Sequence, residues 1–144
     1  MPIYKCESNG KYRIGKGDCI YDTKAKATEV WQAIIASGEY AMAAEKVSFD
    51  FDDTLTTERG QSLAKRFITQ GKAVYIITRR QESDSKEVYA LADKLGIERS
   101  KIYFTNGKLK WETVKRLGID IHYDNNQNEI DKIEEKTNAV GIKF

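Results

Sequence analysis

The distribution of apolar positions divides the chain near residue 44. From Lys46 onward, short apolar runs at Val47–Phe51, Ala73–Ile77, Ile102–Phe104, Ile119–Tyr123 and Ala139–Ile142 alternate with amphipathic stretches near Glu58–Gln70, Asp84–Leu95, Trp111–Leu117 and Asn128–Lys136. A strand covered on both faces is apolar throughout, whereas a covering helix is apolar along one stripe, so this alternation is that of parallel strands joined by crossover helices. The expected fold is α/β: a three-layer, Rossmann-like sandwich with a five-stranded parallel sheet. Gly71, Gly96 and Gly118 fall just past three of the helices, where a left-handed residue commonly stops the helix.

The first 43 residues have a different rhythm. Tyr4–Cys6 and Lys11–Ile14 read as two short strands about the turn signal Asn9-Gly10, and Cys19–Tyr21 as a third. Ala27, Val30, Trp31, Ile34 and Ile35 then share one helical face, which Gly38 ends. The expected organisation is a small ββ(β)α module at residues 1–43, a docking or substrate element, followed by a catalytic domain at residues 44–144. No internal repeat or low-complexity tract is visible, and Pro2 is the only proline.

Composition narrows the picture only a little. A chain of 144 residues supports one core and a small appendage. Its 24 basic and 22 acidic residues leave a net charge of +2 spread along the chain, so no block marks a polyanion-binding tail, and nucleic acid is neither demanded nor excluded as a partner. In the module, Lys5, Lys11, Arg13 and Lys16 are offset by Glu7, Asp18 and Asp22. The longest apolar runs fall far short of a membrane span, and the amino terminus lacks a signal-peptide layout. The expectation is a cytoplasmic protein without a membrane partner. Cys6 and Cys19 are then expected as reduced thiols, and without a nearby histidine they do not complete a zinc site.

Candidate chemistry concentrates where the first buried strand ends, at Asp50-Phe51-Asp52-Asp53-Thr54. Carboxylates beside an apolar run need a compensating cation or partner. In an open parallel sheet, ligands bind beyond the carboxyl ends of the strands. Asp50 and Asp52, two apart, project to one side. Such a pair can divide labour, one carboxylate attacking an electrophile and the other moving a proton. Oxygen ligands suit magnesium, which one or two carboxylates hold together with water and a substrate phosphate.

These residues resemble the first motif of the haloacid dehalogenase-like (HAD) hydrolases, Asp-x-Asp-x-Thr after an apolar strand. The resemblance covers about two-thirds of the chain, Lys46 to Phe144. It implies that Asp50 forms an aspartyl-phosphate, that Asp52 protonates the leaving group and then activates water, and that the Asp52 carbonyl touches Mg²⁺. Thr54 completes the motif on the substrate side. Thr78, ending Ala73-Val-Tyr-Ile-Ile-Thr78, stands as the second-motif hydroxyl that holds a phosphate oxygen. Lys110, immediately before the helix Trp111–Leu117, is the favoured third-motif lysine, with Lys108 as its rival and a substrate-side candidate. Asp124 matches the fourth-motif magnesium ligand. Asn125 stands where many relatives carry a second aspartate, which keeps an oxygen donor there and removes a charge.

Arg79 and Arg80 follow Thr78, and a guanidinium matches phosphate geometry, so both are candidates to grip a substrate anion, Arg79 first as the substrate-binding residue, with a solvated basic loop as the alternative. His122, the only histidine, lies inside the fourth expected strand and is read as structural. Asp120 and Asp131 are poorer ligand candidates, and Trp31 and Trp111 are read as packing residues. Neither the interval Thr54–Ala73 nor Arg79–Lys108 has room for an inserted cap, so the expected site is open, and substrates range from small phosphate esters and nucleotides to phosphorylated macromolecules. The expected function is a Mg²⁺-dependent phosphatase acting on a phosphate monoester. The alternative is a weak or inactive binding or scaffold protein on the same fold. Within the enzyme reading, a polynucleotide 3′-phosphatase or a nucleotidase is a further option.

Overall fold

Strand β3 (Lys46–Phe49) occupies the middle of a five-stranded sheet and is covered on both faces, with Val47, Ser48 and Phe49 all buried. In this computed structural model, which describes residues 3–144 and all their side chains except those of residues 35–37, 39 and 40, the sheet continues through β4 (Ala73–Thr78), β5 (Ile102–Phe104), β6 (Ile121–Asp124) and β7 (Val140–Lys143). The order is β5-β4-β3-β6-β7 and every pairing is parallel. Helices α3 (Glu58–Thr69), α4 (Lys86–Leu95), α5 (Trp111–Leu117) and α6 (Gln127–Lys136) make the crossovers. This is the three-layer α/β sandwich expected from the alternating pattern.

The two faces of the sheet are distinct. Phe49 of β3 stacks on Tyr123 of β6 at 5.0 Å between ring centroids, and Phe67 of α3 tilts against both. Tyr89 of α4 meets Phe104 of β5 edge-on. Helices α3 and α4 therefore cover that face. On the other, Ile77 packs with Val114 of α5 and Ile133 of α6, joined by Ile119 and Ala139. Side chains alternate along a strand, so Ser48 and Asp50 of the β3 segment, with His122 and Asp124 of β6, turn to the α5–α6 side.

Element ends differ from expectation at two instructive places. The fourth strand begins at Ile121 rather than Ile119. Gly118 closes α5 in the left-handed conformation and Ile119 N–H donates to the Val114 carbonyl, so Ile119 belongs to the helix stop. Asp120 then turns its Oδ2 to the backbone N–H groups of Glu45 and Lys46, 2.9 Å from each. The first strand ends at Phe49, because the carbonyls of Asp50 and Phe51 accept from Leu55 and Thr56 and wind the chain into a tight turn.

Residues Met1–Ala44 form one compact unit and Glu45–Phe144 the other. In the first, β1 (Ile3–Lys5) pairs antiparallel with β2 (Tyr12–Ile14), and α1 (Lys24–Ser37) and the short α2 (Glu39–Ala43) follow. The third strand expected at Cys19–Tyr21 is reduced to one bridge between Tyr21 and Tyr12. Ala27 and Trp31 of α1 are buried, Val30 and Ile34 partly so, and the side chain of Ile35 lies outside the described residues. Cys6 and Cys19 are not free thiols: they form a disulfide across Cα atoms 6.1 Å apart. The physical reason is the hairpin, which the spacing of the two cysteines does not reveal. Lys11 carbonyl accepts from Cys6 N–H and Asn9 Nδ2 donates to the Cys19 carbonyl, which draws both cysteines to one end of it. Among the described residues, no helix is long and apolar enough to cross a membrane.

Candidate active site

The site is built at the carboxyl ends of the central strands. Past β3 the chain turns through residues 51–55, and Asp53 takes a left-handed conformation with φ of 59°. That geometry presents Asp52 to solvent while Phe51 and Leu55 enter the core. The turn leads into α3 through Thr57, whose hydroxyl accepts from Gly60 N–H at 3.0 Å and donates to the Thr54 carbonyl at 2.6 Å. Gly60 fits there because a Cβ would lie 2.0 Å from the Thr54 carbonyl oxygen.

Lys110 is the centre of the arrangement. It precedes α5, is 2% exposed, and its Nζ lies 2.6 Å from both Asp50 Oδ1 and Asp124 Oδ2. One buried ammonium thus ties the turn after β3 to the end of β6. Its backbone N–H donates to Glu129 Oε2 on α6 at 3.0 Å. Glu129 is itself buried, with Oε1 lacking a hydrogen-bond partner and 3.7 Å from Arg79. The Lys110 ammonium thus meets two buried carboxylates, Asp50 and Asp124, while a third, Glu129, is held by the Lys110 backbone N–H.

The electrostatics follow from that imbalance. Burial pushes the Asp50 carboxyl up to about 6, against the pull of Lys110 and aided by the Asp124 charge. Burial likewise raises Glu129. For Asp124, burial acts upward too, but hydrogen bonds from His122 and Lys110 and their charges hold it below the usual carboxylate range. Burial lowers His122, although its bond to Asp124 opposes this. Asp52 sits apart: Arg80 forks onto it at 2.7 and 3.0 Å and holds it low. Arg80 also reaches Asp84 and Glu87 and lies over the Phe51 ring.

A cavity of about 190 Å³ brings together Asp50, Asp52, Thr78, Arg79, Lys110, Asp124 and Asn125. Two expected residues lie elsewhere. Thr54 is fully buried, off the cavity wall, because its carbonyl anchors Thr57 and its side chain points into the protein. Lys108 is exposed in the loop before α5, where its backbone pairs with Thr105, so geometry separates it from Lys110. Arg79 donates to the Gly107 carbonyl from Nε and Nη2, which ties the strand end to that loop. Thr78 Oγ1 accepts from Arg80 N–H at 3.2 Å. Glu129, Arg80 and His122 complete the network. A buried polar position at the start of an amphipathic helix is the sequence signal for Glu129.

Among the described residues, no three His, Cys, Asp or Glu side chains stand together as a metal-binding group. A cation here would rest on Asp50 and Asp124, with the Asp52 carbonyl and Asn125 as further oxygen donors. The residues fit a hard cation: the donors are all oxygen, and the cluster carries more buried negative than positive charge.

No family model matches the chain, and no curated protein matches it. Among solved structures, it is similar to a candidate 3-deoxy-D-manno-octulosonate 8-phosphate phosphatase from Vibrio cholerae, at 17% identity and a TM-score of 0.45, over 71% of this chain and 76% of that one. It is also similar to a nitrogenase, Cp1 at pH 6.5, at 21% identity and a TM-score of 0.45, over 88% of this chain and 27% of that one.

Proposed function

We propose that this chain is a phosphomonoesterase of the HAD-like type, dependent on Mg²⁺ and working through an aspartyl-phosphate on Asp50. The observation that carries the reading is Lys110, buried and bonded to both Asp50 and Asp124 in one cavity with Asp52 and Thr78. A carboxylate held beside an ammonium at strand ends is a nucleophile placed where an anionic phosphate can be received.

In the first half-reaction an Asp50 carboxylate oxygen bonds to phosphorus, the ester P–O bond breaks, and the leaving oxygen takes a proton from Asp52. In the second, Asp52 as carboxylate takes a proton from water, the resulting hydroxide attacks phosphorus, and the bond to Asp50 breaks to release inorganic phosphate. Lys110 offsets charge on Asp50 and on the phosphoryl oxygens, and the Thr78 hydroxyl donates to one of those oxygens. Bound Mg²⁺, held by Asp50, Asp124, the Asp52 carbonyl and Asn125, supplies charge neutralisation between nucleophile and phosphate. With Arg80 forked onto it, Asp52 is a carboxylate. It can accept a proton in that state and must leave Arg80 to donate one.

That fork is also the observation favouring the alternative, a binding protein on the same fold with little turnover. The test is hydrolysis of an aryl phosphate with and without Mg²⁺. The native chain should turn over only with the metal, Asp50→Asn should be inactive, and Asp52→Asn should lose about 10²- to 10⁴-fold, the usual worth of a positioned acid–base. Equal rates in native chain and variants rule the mechanism out. A panel of nucleotides, 3′-phosphorylated oligonucleotides and phosphopeptides then separates the substrate classes.

A further inference from the structure

Ser48 and His122 are fully buried polar residues within the adjacent strands β3 and β6. They are register partners across the β3–β6 pairing, flanked by the apolar pairs Val47–Ile121 and Phe49–Tyr123. Ser48 Oγ lies 2.7 Å from His122 Nδ1, and His122 Nε2 lies 2.9 Å from Asp124 Oδ2. An apolar pair of similar shape would serve folding as well, since replacing both partners of a buried hydrogen bond by apolar groups is close to neutral. The polar pair therefore calls for a reason beyond stability, and the chain of bonds ends on Asp124.

We propose that Ser48 and His122 form a buried relay that positions the Asp124 carboxylate. An ionised carboxylate only accepts hydrogen bonds, so the nitrogen facing it, Nε2, carries the proton. A bare Nε2 at 2.9 Å would oppose lone pair to lone pair. Nδ1 is then the acceptor of the neutral ring and receives the Ser48 hydroxyl proton. Asp124 Oδ2 is thereby committed to His122 and Lys110, while Oδ1 accepts from Asn126 N–H at 3.0 Å. Three donors fix the carboxylate's plane and leave a lone pair on Oδ1 for a further partner. Ser48 and His122 touch no substrate and are positioning residues.

The functional consequence rests on the phosphatase reading: where Asp124 holds Mg²⁺, its supporting partner sets affinity. Loss of such outer-shell support typically costs 10- to 100-fold in metal affinity. His122 is the only histidine, so ¹⁵N-histidine labelling of the full chain reports this ring alone. The expected spectrum is the neutral Nε2–H tautomer, with the Nδ1 resonance shifted in Ser48→Ala. A neutral Nδ1–H tautomer overturns the relay. Titration calorimetry with Mg²⁺ alone should show binding weakened 10- to 100-fold in His122→Leu and largely restored in His122→Gln, whose amide nitrogen replaces the Nε2 donor. Ser48→Ala provides the milder variant if His122→Leu does not fold. Unchanged affinity in folded His122→Leu also overturns the positioning role. If the native chain binds no Mg²⁺ yet shows the Nε2–H tautomer, the magnesium reading fails and the relay stands.

Discussion

Tyr123 shows how one atom of a packed side chain adds a pH dependence of its own. Its ring stacks on Phe49 and meets Phe144 edge-on, and burial pushes its phenol up to about 12, with Arg59 pulling weakly the other way. A group whose folded-state pKa lies above its ordinary value of 10 stabilises the fold fully below pH 10, and that contribution is lost as pH rises through 12. Two pH units correspond to roughly 2–3 kcal/mol. Tyr123→Phe keeps the ring packing and removes the phenol, so its urea midpoint should fall less between pH 8 and pH 11.5 than that of the native chain. Parallel loss in both proteins would show that Tyr123 is not the group responsible. At this scale the sequence singled out the strand-end residues Asp50, Asp52, Thr78 and Asp124, because carboxylates and a hydroxyl there break an apolar run. It favoured Lys110 over Lys108 only by its place directly before the helix, and it is burial of Lys110 against exposure of Lys108 that divides them. Ser48 and Glu129 have their partners 74 and 19 positions away, respectively, beyond any local pattern, and Arg80, expected beside Arg79 to grip a substrate anion, instead forks onto Asp52, 28 positions away.

Between strand and helix, the turn after β3 depends on a glycine that does not touch the cavity. Gly60 lies in the first turn of α3, and an added methyl would lie 2.0 Å from the Thr54 carbonyl oxygen, which itself anchors the Thr57 cap. Neither backbone can yield without opening the turn that carries Asp52 and Asp53. Gly60→Ala should cost about 1–3 kcal/mol, the usual range for overpacking, and it should slow aryl phosphate hydrolysis as well. A native urea midpoint in that variant would show that the helix shifts freely. The elements themselves were legible because burial imposes two different periods on strand and helix. Their ends were less so. Gly118 marks the stop of α5, but nothing in the pattern says that Ile119 completes the stop or that Asp120 turns to Glu45 and Lys46. The turn at residues 51–55 likewise depends on backbone hydrogen bonds that side-chain periodicity does not encode.

At the level of the whole chain, the two units rest on different sources of stability. Residues Glu45–Phe144 bury a two-sided sheet, whereas the hairpin of the first unit has two three-residue strands and an exposed outer face. A two-stranded hairpin is marginal in water without further support. The Cys6–Cys19 bond supplies support by closing a loop of 13 residues, and a loop of that order contributes about 3 kcal/mol. The expectation of free thiols came from compartment, not geometry, and compartment now has a structural consequence: a glutathione-buffered cytosol reduces such bonds, so the first unit should be less stable there than in an oxidising environment. Peptide-resolved hydrogen exchange with and without dithiothreitol tests this. On reduction, amides of Cys6, Gly10 and Tyr12, which are bonded within the hairpin region, should exchange on the order of a hundredfold faster. Amides of β3 and β4, held in the parallel sheet, should keep their rates. Unchanged protection of the hairpin would show that its packing on α1 suffices without the bond, and simultaneous loss in the sheet would show that the two units unfold as one.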